Sequence, residues 1–256
     1  VTASLPMYDR AETAAANDRL WAGIRDRLRQ AGIDAPEALN RDLPEMMPHW
    51  LSPDLVFSQT CGFPYRAKLH HHVTLVGTPD YGLEGCPPGH YHSVFVARRD
   101  DPREGLQAFD GARFAYNDGL SQSGWAAPQV HAEGLGISLP ASLCSGGHRQ
   151  SAHAVLEGAA DLAALDAVTW RMLGRWEPEM AGLRVIAHTE PTPGLPFITA
   201  AARSADVVFA AAEAAIEALS PEDRDALGLR GLVRISPETY LAVPNPAAVA
   251  PEPPIN

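Results

Sequence analysis

The apolar positions along this chain switch between two periods. Leu20, Trp21, Ile24 and Leu28 fall on one face at helical spacing, and Gly32 follows where a helix end favours glycine, so this stretch predicts an amphipathic helix. Before it, residues 2–7 read as a first strand. After it, short β-branched or apolar runs at 54–58 and 73–76 predict strands, with a helical turn at 64–69. A longer strand is predicted at 91–98 and a short helix near 104–109. A second alternating series follows: strand 112–116, helix from about Ser123, strand near Leu143, helix 148–157, strand 162–165, helix 168–176 and strand 183–187. Pro191 to Pro196 is a stiff turn, and Phe197 to Ala200 returns as extended chain. The alanine-rich stretch 206–219 predicts a helix that buries Val207, Ala210, Ala211, Ala214 and Leu219. This alternation predicts an α/β architecture with mostly parallel strands.

At 256 residues the chain is long enough for two lobes of about half its length each. The boundaries read as lobe 1 at 1–95 plus 190–243 and lobe 2 at 96–189, with a proline-rich tail at 244–256 expected to be extended or disordered. Hydrophobic residues at 46% and charged residues at 20% are those of a globular protein, and no apolar run reaches the length of a membrane span. The formal net charge of −11 disfavours nucleic acid and anionic membrane surfaces as partners, since both require a basic face. It leaves a small anion open as ligand, because backbone N–H groups, hydroxyls and helix N-termini bind anions without net positive charge. Cys61, Cys86 and Cys144 lack metal or redox spacing. Cys61 and Cys86 pair only in an oxidising compartment; the alternative is three thiols. No leader is read before the first strand, which implies either its prior removal or, if Val1 is the true start, a cytoplasmic protein.

Two strand-to-helix loops carry the chemistry. Tyr116-Asn117-Asp118-Gly119-Leu120-Ser121-Gln122-Ser123-Gly124-Trp125 is polar and glycine-containing, offers Ser121 or Ser123 as a helix cap, and exposes N–H groups that suit an anion. Pro128 removes one donor from the first turns, which predicts an irregular helix start. In Cys144-Ser145-Gly146-Gly147-His148-Arg149, His148 can donate to a bound oxyanion and Arg149 can add charge. Each loop read alone is more often just a helix start with a capping or surface residue. Together they lie where ligands bind in open α/β sheets, at strand carboxyl ends. Asp166 and Trp170 follow a third strand. Asp166 either caps the next helix or meets a cationic group on the ligand, since a carboxylate beside an oxyanion is repulsive. His70, His71, His72, His90 and His92 invite a metal reading but have no metal-binding spacing, and no nucleophile elbow or phosphate-binding loop is present. No metal, no cofactor and no catalytic residue are expected.

Four segments, Tyr91-His92-Ser93-Val94, Phe109 through Pro128, Ser145 through Trp170 and Pro191 through Pro196, resemble in order and spacing the phosphate/phosphonate-binding proteins of bacterial ABC transporters, over about Ala3 to Leu219. The resemblance implies the two-lobed type 2 periplasmic-binding (Venus-flytrap) fold, with a ligand cleft between lobes. It also implies a periplasmic, monomeric, non-enzymatic protein and a transporter permease as partner. By resemblance, Ser121, Gln122 and Ser123 hold the oxyanion, with Gln122 where threonine is common. Tyr91 supplies an aromatic hydroxyl, His148 is the helix-start histidine, and Asp166 is the acidic position. A first-lobe tyrosine of some members has no match; Gln59 and Thr60 stand in its place. Three alternatives remain: a zwitterionic or amine ligand held by Asp166 and Trp170, a metal-dependent hydrolase using His70 to His72, and a regulatory domain of the same fold.

Overall fold

The computed structural model describes residues 1–251. The first stretch of chain runs β1 (Thr2–Ala3), α1 (Ala14–Gln30), α2 (Met46–Trp50), β2 (Leu55–Gln59), α3 (Gly62–Pro64) with a π-helical turn Tyr65–Leu69, and β3 (Val73–Asp80). The middle runs β4 (His90–Tyr91), β5 (Ser93–Arg98), β6 (Phe114–Tyr116), a π-helical turn Gln122–Ala126, α4 (Ala127–Leu135), β7 (Ala141–Cys144), α5 (His148–Leu156), β8 (Leu162–Asp166), α6 (Ala167–Trp176) and β9 (Leu183–His188). The last stretch is β10 (Thr192–Pro193), β11 (Phe197–Ala200), α7 (Ala205–Glu217), α8 (Pro221–Leu227), β12 (Gly231–Val233) and α9 (Pro237–Leu241).

The chain forms two compact units, Val1–His90 with Pro193–Ala242, and Tyr91–Thr192 with the segment from Val243 onward. The crossings therefore fall at 90/91 and 192/193 rather than at 95/96 and 189/190, because β5 is sheet-bonded to β8 and β9 of the second unit along its whole length. Residues 244–251 lack regular structure yet touch the rest of the second unit, where the Ala247 N–H donates to Glu133 Oε1 at 2.9 Å. The rest of the expected tail, 252–256, lies outside the described residues.

In the first unit the sheet order is β1-β2-β11-β3-β12. β1 and β2 are parallel, whereas β11 runs antiparallel to both β2 and β3, and β12 antiparallel to β3. Every residue of β2 and β11 is buried, as expected of strands covered on both faces. On one face Trp21, Ile24 and Leu28 of α1 and Val208, Phe209 and Ile216 of α7 pack on Phe57, Val76 and Phe197. On the other, Trp50, Tyr65, Leu69 and Tyr240 pack on Leu55, Val73 and Ile198. α1 ends as its sequence predicts: Gly32 takes φ +79°, and the Ile33 N–H returns to the Leu28 carbonyl at 2.9 Å. α7 is rotated from the expected face. Val208, Phe209, Ala211, Ala212, Ala215 and Ile216 are buried, while Val207 is 37% exposed.

The second unit has sheet order β7-β6-β8-β5-β9. β7, β6 and β8 are parallel, and β5 runs against both β8 and β9. Both sheets are thus mixed rather than mostly parallel, because a strand direction follows from where its connection re-enters the sheet and not from the local pattern. The chain leaves β6 toward β7 and then crosses back to β8, so the loops after β6 and β7 meet at the point where the strand order reverses. Among the described residues, no helix is long and apolar enough to cross a membrane.

Candidate functional site

The loops after β6 and β7 are tied together before any side chain is considered. The Ser145 N–H donates to the Tyr116 carbonyl at 2.8 Å and the Gly146 N–H to the Asn117 carbonyl at 3.0 Å. The helix after β6 opens irregularly, as Pro128 predicts, with a π-helical turn in which the Ala126 N–H reaches the Ser121 carbonyl at 2.9 Å. Ser121 caps it, its Oγ accepting from the Gly124 N–H at 3.0 Å. That bond uses an oxygen lone pair and leaves the Ser121 hydroxyl proton available. Among the described residues the Ser123 main-chain N–H has no acceptor. Ser121, Gln122 and Ser123 are all buried.

From the other loop, His148 at the start of α5 meets Ser123, with Oγ and Nε2 2.9 Å apart. The His148 residue keeps some exposure, but its Nδ1 is shielded from solvent and has no hydrogen bond of good geometry, although the Ala164 main chain lies close. Desolvation therefore pushes the imidazole down to about 4, with the Ala164 main chain opposing it in part. At neutral pH the ring is uncharged. Arg149 adds no charge at this point, because its Nε donates to both Glu177 carboxylate oxygens at 2.9 and 2.8 Å.

Gly124 sits where a side chain has no room. A Cβ there would fall inside the Asn117 side-chain amide and 3.2 Å from His148 Cε1. Asn117, Gly124, Ser123 and His148 thus form one packed cluster. Asn117 Oδ1 within it is buried and has no hydrogen-bond partner among the described residues.

Asp166 ends β8 and caps α6, its Oδ1 accepting from the Val168 N–H at 2.7 Å and the Thr169 N–H at 3.0 Å. This is the capping alternative that the sequence left open, and it engages one carboxylate oxygen fully. Trp170 on α6 is half-buried, and Tyr91 is buried at the second unit's first residue. In the first unit Gln59 ends β2, and its Nε2 donates to the Leu195 carbonyl at 3.1 Å and to the Tyr81 hydroxyl at 3.4 Å. Thr60 follows, fully buried, with a hydroxyl that has no partner among the described residues. Gln59 also lines a small cavity of about 20 Å³ with Tyr8 and Tyr81, whose rings meet edge to face at 4.9 Å. The sequence gives no sign of this tyrosine pair, since the two positions are far apart along the chain.

Buried polar atoms without partners mark unfinished chemistry. Thr60 lies after β2, Ser93 at the start of β5, Asn117 after β6 and His148 after β7; His70, on the turn after α3, is the remaining one among the described residues. Ser93 and Asn117 were not singled out in the sequence, because a missing partner is visible only once the neighbours are in place. Among the described residues, His70, His71, His72, His90 and His92 do not come together as a group of three candidate metal ligands. His70 and His71 stack on each other at 3.8 Å, and among the described residues the group that brings three candidate ligands together is His153, Glu177 and Glu179. Glu177 there is already paired with Arg149. Cys61, Cys86 and Cys144 all carry thiols.

The sequence matches the family described as "ABC transporter, phosphonate, periplasmic substrate-binding protein" over residues 5–240. No curated protein matches it. Solved structures resemble it in fold. PhnD1 from Prochlorococcus marinus, in complex with methylphosphonate, aligns with a TM-score of 0.71 at 14% identity, covering 93% of this chain and 94% of that one. A binding protein component of an ABC phosphonate transporter from Pseudomonas aeruginosa gives 0.69 at 14% identity over 95% and 83%. XAC2383 from Xanthomonas citri, bound to ATP in one structure, gives 0.68 at 17% over 93% and 92%.

Proposed function

The chain belongs to the periplasmic substrate-binding family of phosphonate ABC transporters, and from that premise we propose that its second unit clasps the oxygens of a phosphonate, phosphate or phosphite with the cluster built on Ser121, Ser123 and His148. Solute binding of a small anion is the family's role. The assignment of residues is our reading, and the observation that carries it is the 2.9 Å contact between Ser123 and His148, which joins two helix-leading loops at one point.

The donors at this point are neutral. Ser121 keeps its hydroxyl proton, and Ser123 keeps its N–H. The uncharged His148 selects between two arrangements. With the proton on Nε2, the ring donates to Ser123 Oγ and frees the Ser123 hydroxyl to donate to the ligand; a bound anion stabilises this one. Micromolar affinity requires about 8 kcal/mol net, and charge-assisted hydrogen bonds contribute roughly 1.5–3 kcal/mol each, so a handful suffice without a cationic side chain. Gln122, Tyr91 and Trp170 belong to the same unit's proposed set, and Asp166, already the cap of α6, joins it only for a ligand that also carries a cationic or hydroxyl group. Gln59 and Thr60 are the first unit's proposed positions, with the Thr60 hydroxyl the better placed because Gln59 is already bonded.

A serine beside a histidine also invites a nucleophilic reading. An imidazole held near pKa 4, with no carboxylate on its far nitrogen, is too weak a base to activate a hydroxyl, which favours binding over catalysis. The proposed partner is a transporter permease, and the proposed state is a periplasmic monomer. Replacing Ser121 and Ser123 together by alanine is expected to weaken binding of methylphosphonate or inorganic phosphate tenfold or more by isothermal titration; an unchanged affinity refutes the site.

A further inference from the structure

We propose that Ser93 is a further ligand-contacting residue of this site, its hydroxyl donating to the bound oxyanion from the β5 side of the cluster. The inference rests on the reading above and deepens it.

Ser93 is 1% exposed, and its Oγ has no hydrogen-bond partner among the described residues. Its main chain is fixed on both sides by one residue: the Ser93 N–H donates to Thr189 Oγ1 at 2.9 Å, and the Thr189 N–H donates to the Ser93 carbonyl at 3.0 Å. These two bonds hold the strand in register at Ser93. Its register pairs Ser93 with Asp166, which places it beside the carboxyl end of β8 where α6 begins.

Side chains alternate along a strand, so Ser93 shares a face with Phe95. The Phe95 ring lies 5.6 Å from that of His131 on α4. The face is thus the one covered by α4, and the π-helical turn carrying Ser121 and Ser123 leads directly into that helix. β8, the neighbour of β5, packs against the same turn. A hydroxyl in this position has an unpaired donor on the side of the sheet where Ser121 caps the helix and Ser123 meets His148.

Burying a hydroxyl without a partner is unfavourable, and alanine would relieve it. A ligand oxygen supplies the missing acceptor. Stability and affinity then respond in opposite directions to one substitution, which a purely structural serine does not do.

The test uses the 256-residue chain, titrated calorimetrically with methylphosphonate and with inorganic phosphate, alongside ligand-free thermal unfolding. Ser93→Ala is expected to lose about tenfold or more in affinity for whichever probe binds, with a melting temperature equal to or above that of the wild type. Ser93→Cys keeps the side-chain shape with a slightly larger atom that is a poor donor, and is expected to show the same loss. Wild-type affinity in either Ser93 variant, with binding still lost in Ser121→Ala/Ser123→Ala, overturns the Ser93 assignment alone. A wild type that binds neither probe, or a double variant that binds normally, overturns the wider reading and Ser93 with it.

Discussion

His148 holds its place as a neutral ring, and this gives the molecule an acid-side weakness with a definite sign. Above about pH 6.5 the imidazole is uncharged in both folded and unfolded chains and contributes no pH dependence. As pH falls from there, the unfolded chain takes up a proton that the folded one refuses until about 4, so stability drops across that window and levels off below it. The full loss is on the order of 3 kcal/mol. Burial pushes His49, His92 and His131 in the same direction, so the slope is shared. Urea denaturation of His148→Gln between pH 7 and 4 is expected to show a shallower decline than the wild type; parallel curves refute the burial argument. At this scale the sequence exposes Ser121 as a helix cap and His148 as the first residue of α5, because capping residues and glycines at strand-to-helix junctions are local signals. Asn117, Ser93 and the Tyr8–Tyr81 pair are not legible in it, since each owes its character to neighbours brought from elsewhere.

At the level of elements, α1 is readable because Trp21, Ile24 and Leu28 are large and their spacing fixes a single face. α7 is not. Alanines occupy both sides of it and carry little phase information, so the two adjacent valines decide the rotation; Val208 is buried and Val207 is not. Ile216→Ala, on the buried face, is expected to cost about 2–5 kcal/mol in chemical denaturation. Val207→Ala is expected to stay within about 0.5 kcal/mol. Equal effects would mean the helix is rotated differently. α8 and α9 escape the sequence reading although both start with a serine cap followed by proline, Ser220-Pro221 and Ser236-Pro237, because each is too short to show a period. Strand direction escapes as well: β11 lies between β2 and β3 and runs against both, which its four residues do not encode.

For the molecule as a whole, a net charge of −11 opposes the approach of an anion even though the cluster that would receive it is built from donors. Short-range hydrogen bonds set the affinity, while the long-range field acts on encounter. Stopped-flow tryptophan fluorescence is therefore expected to show the association rate constant for methylphosphonate rising as sodium chloride goes from about 20 to about 200 mM. A falling rate would mean that a local positive field steers the ligand in.

The slot that β11 fills has a consequence for how the protein is made. Residues 1–90 leave the ribosome with β2 and β3 but without the strand that bonds to both, and the whole of 91–192 is synthesised before that strand appears. The second unit has all its sheet strands in hand first and can settle while its elder neighbour waits with two naked edges. An interrupted chain ending before Pro193 would keep those edges indefinitely, the state in which strands recruit one another between molecules.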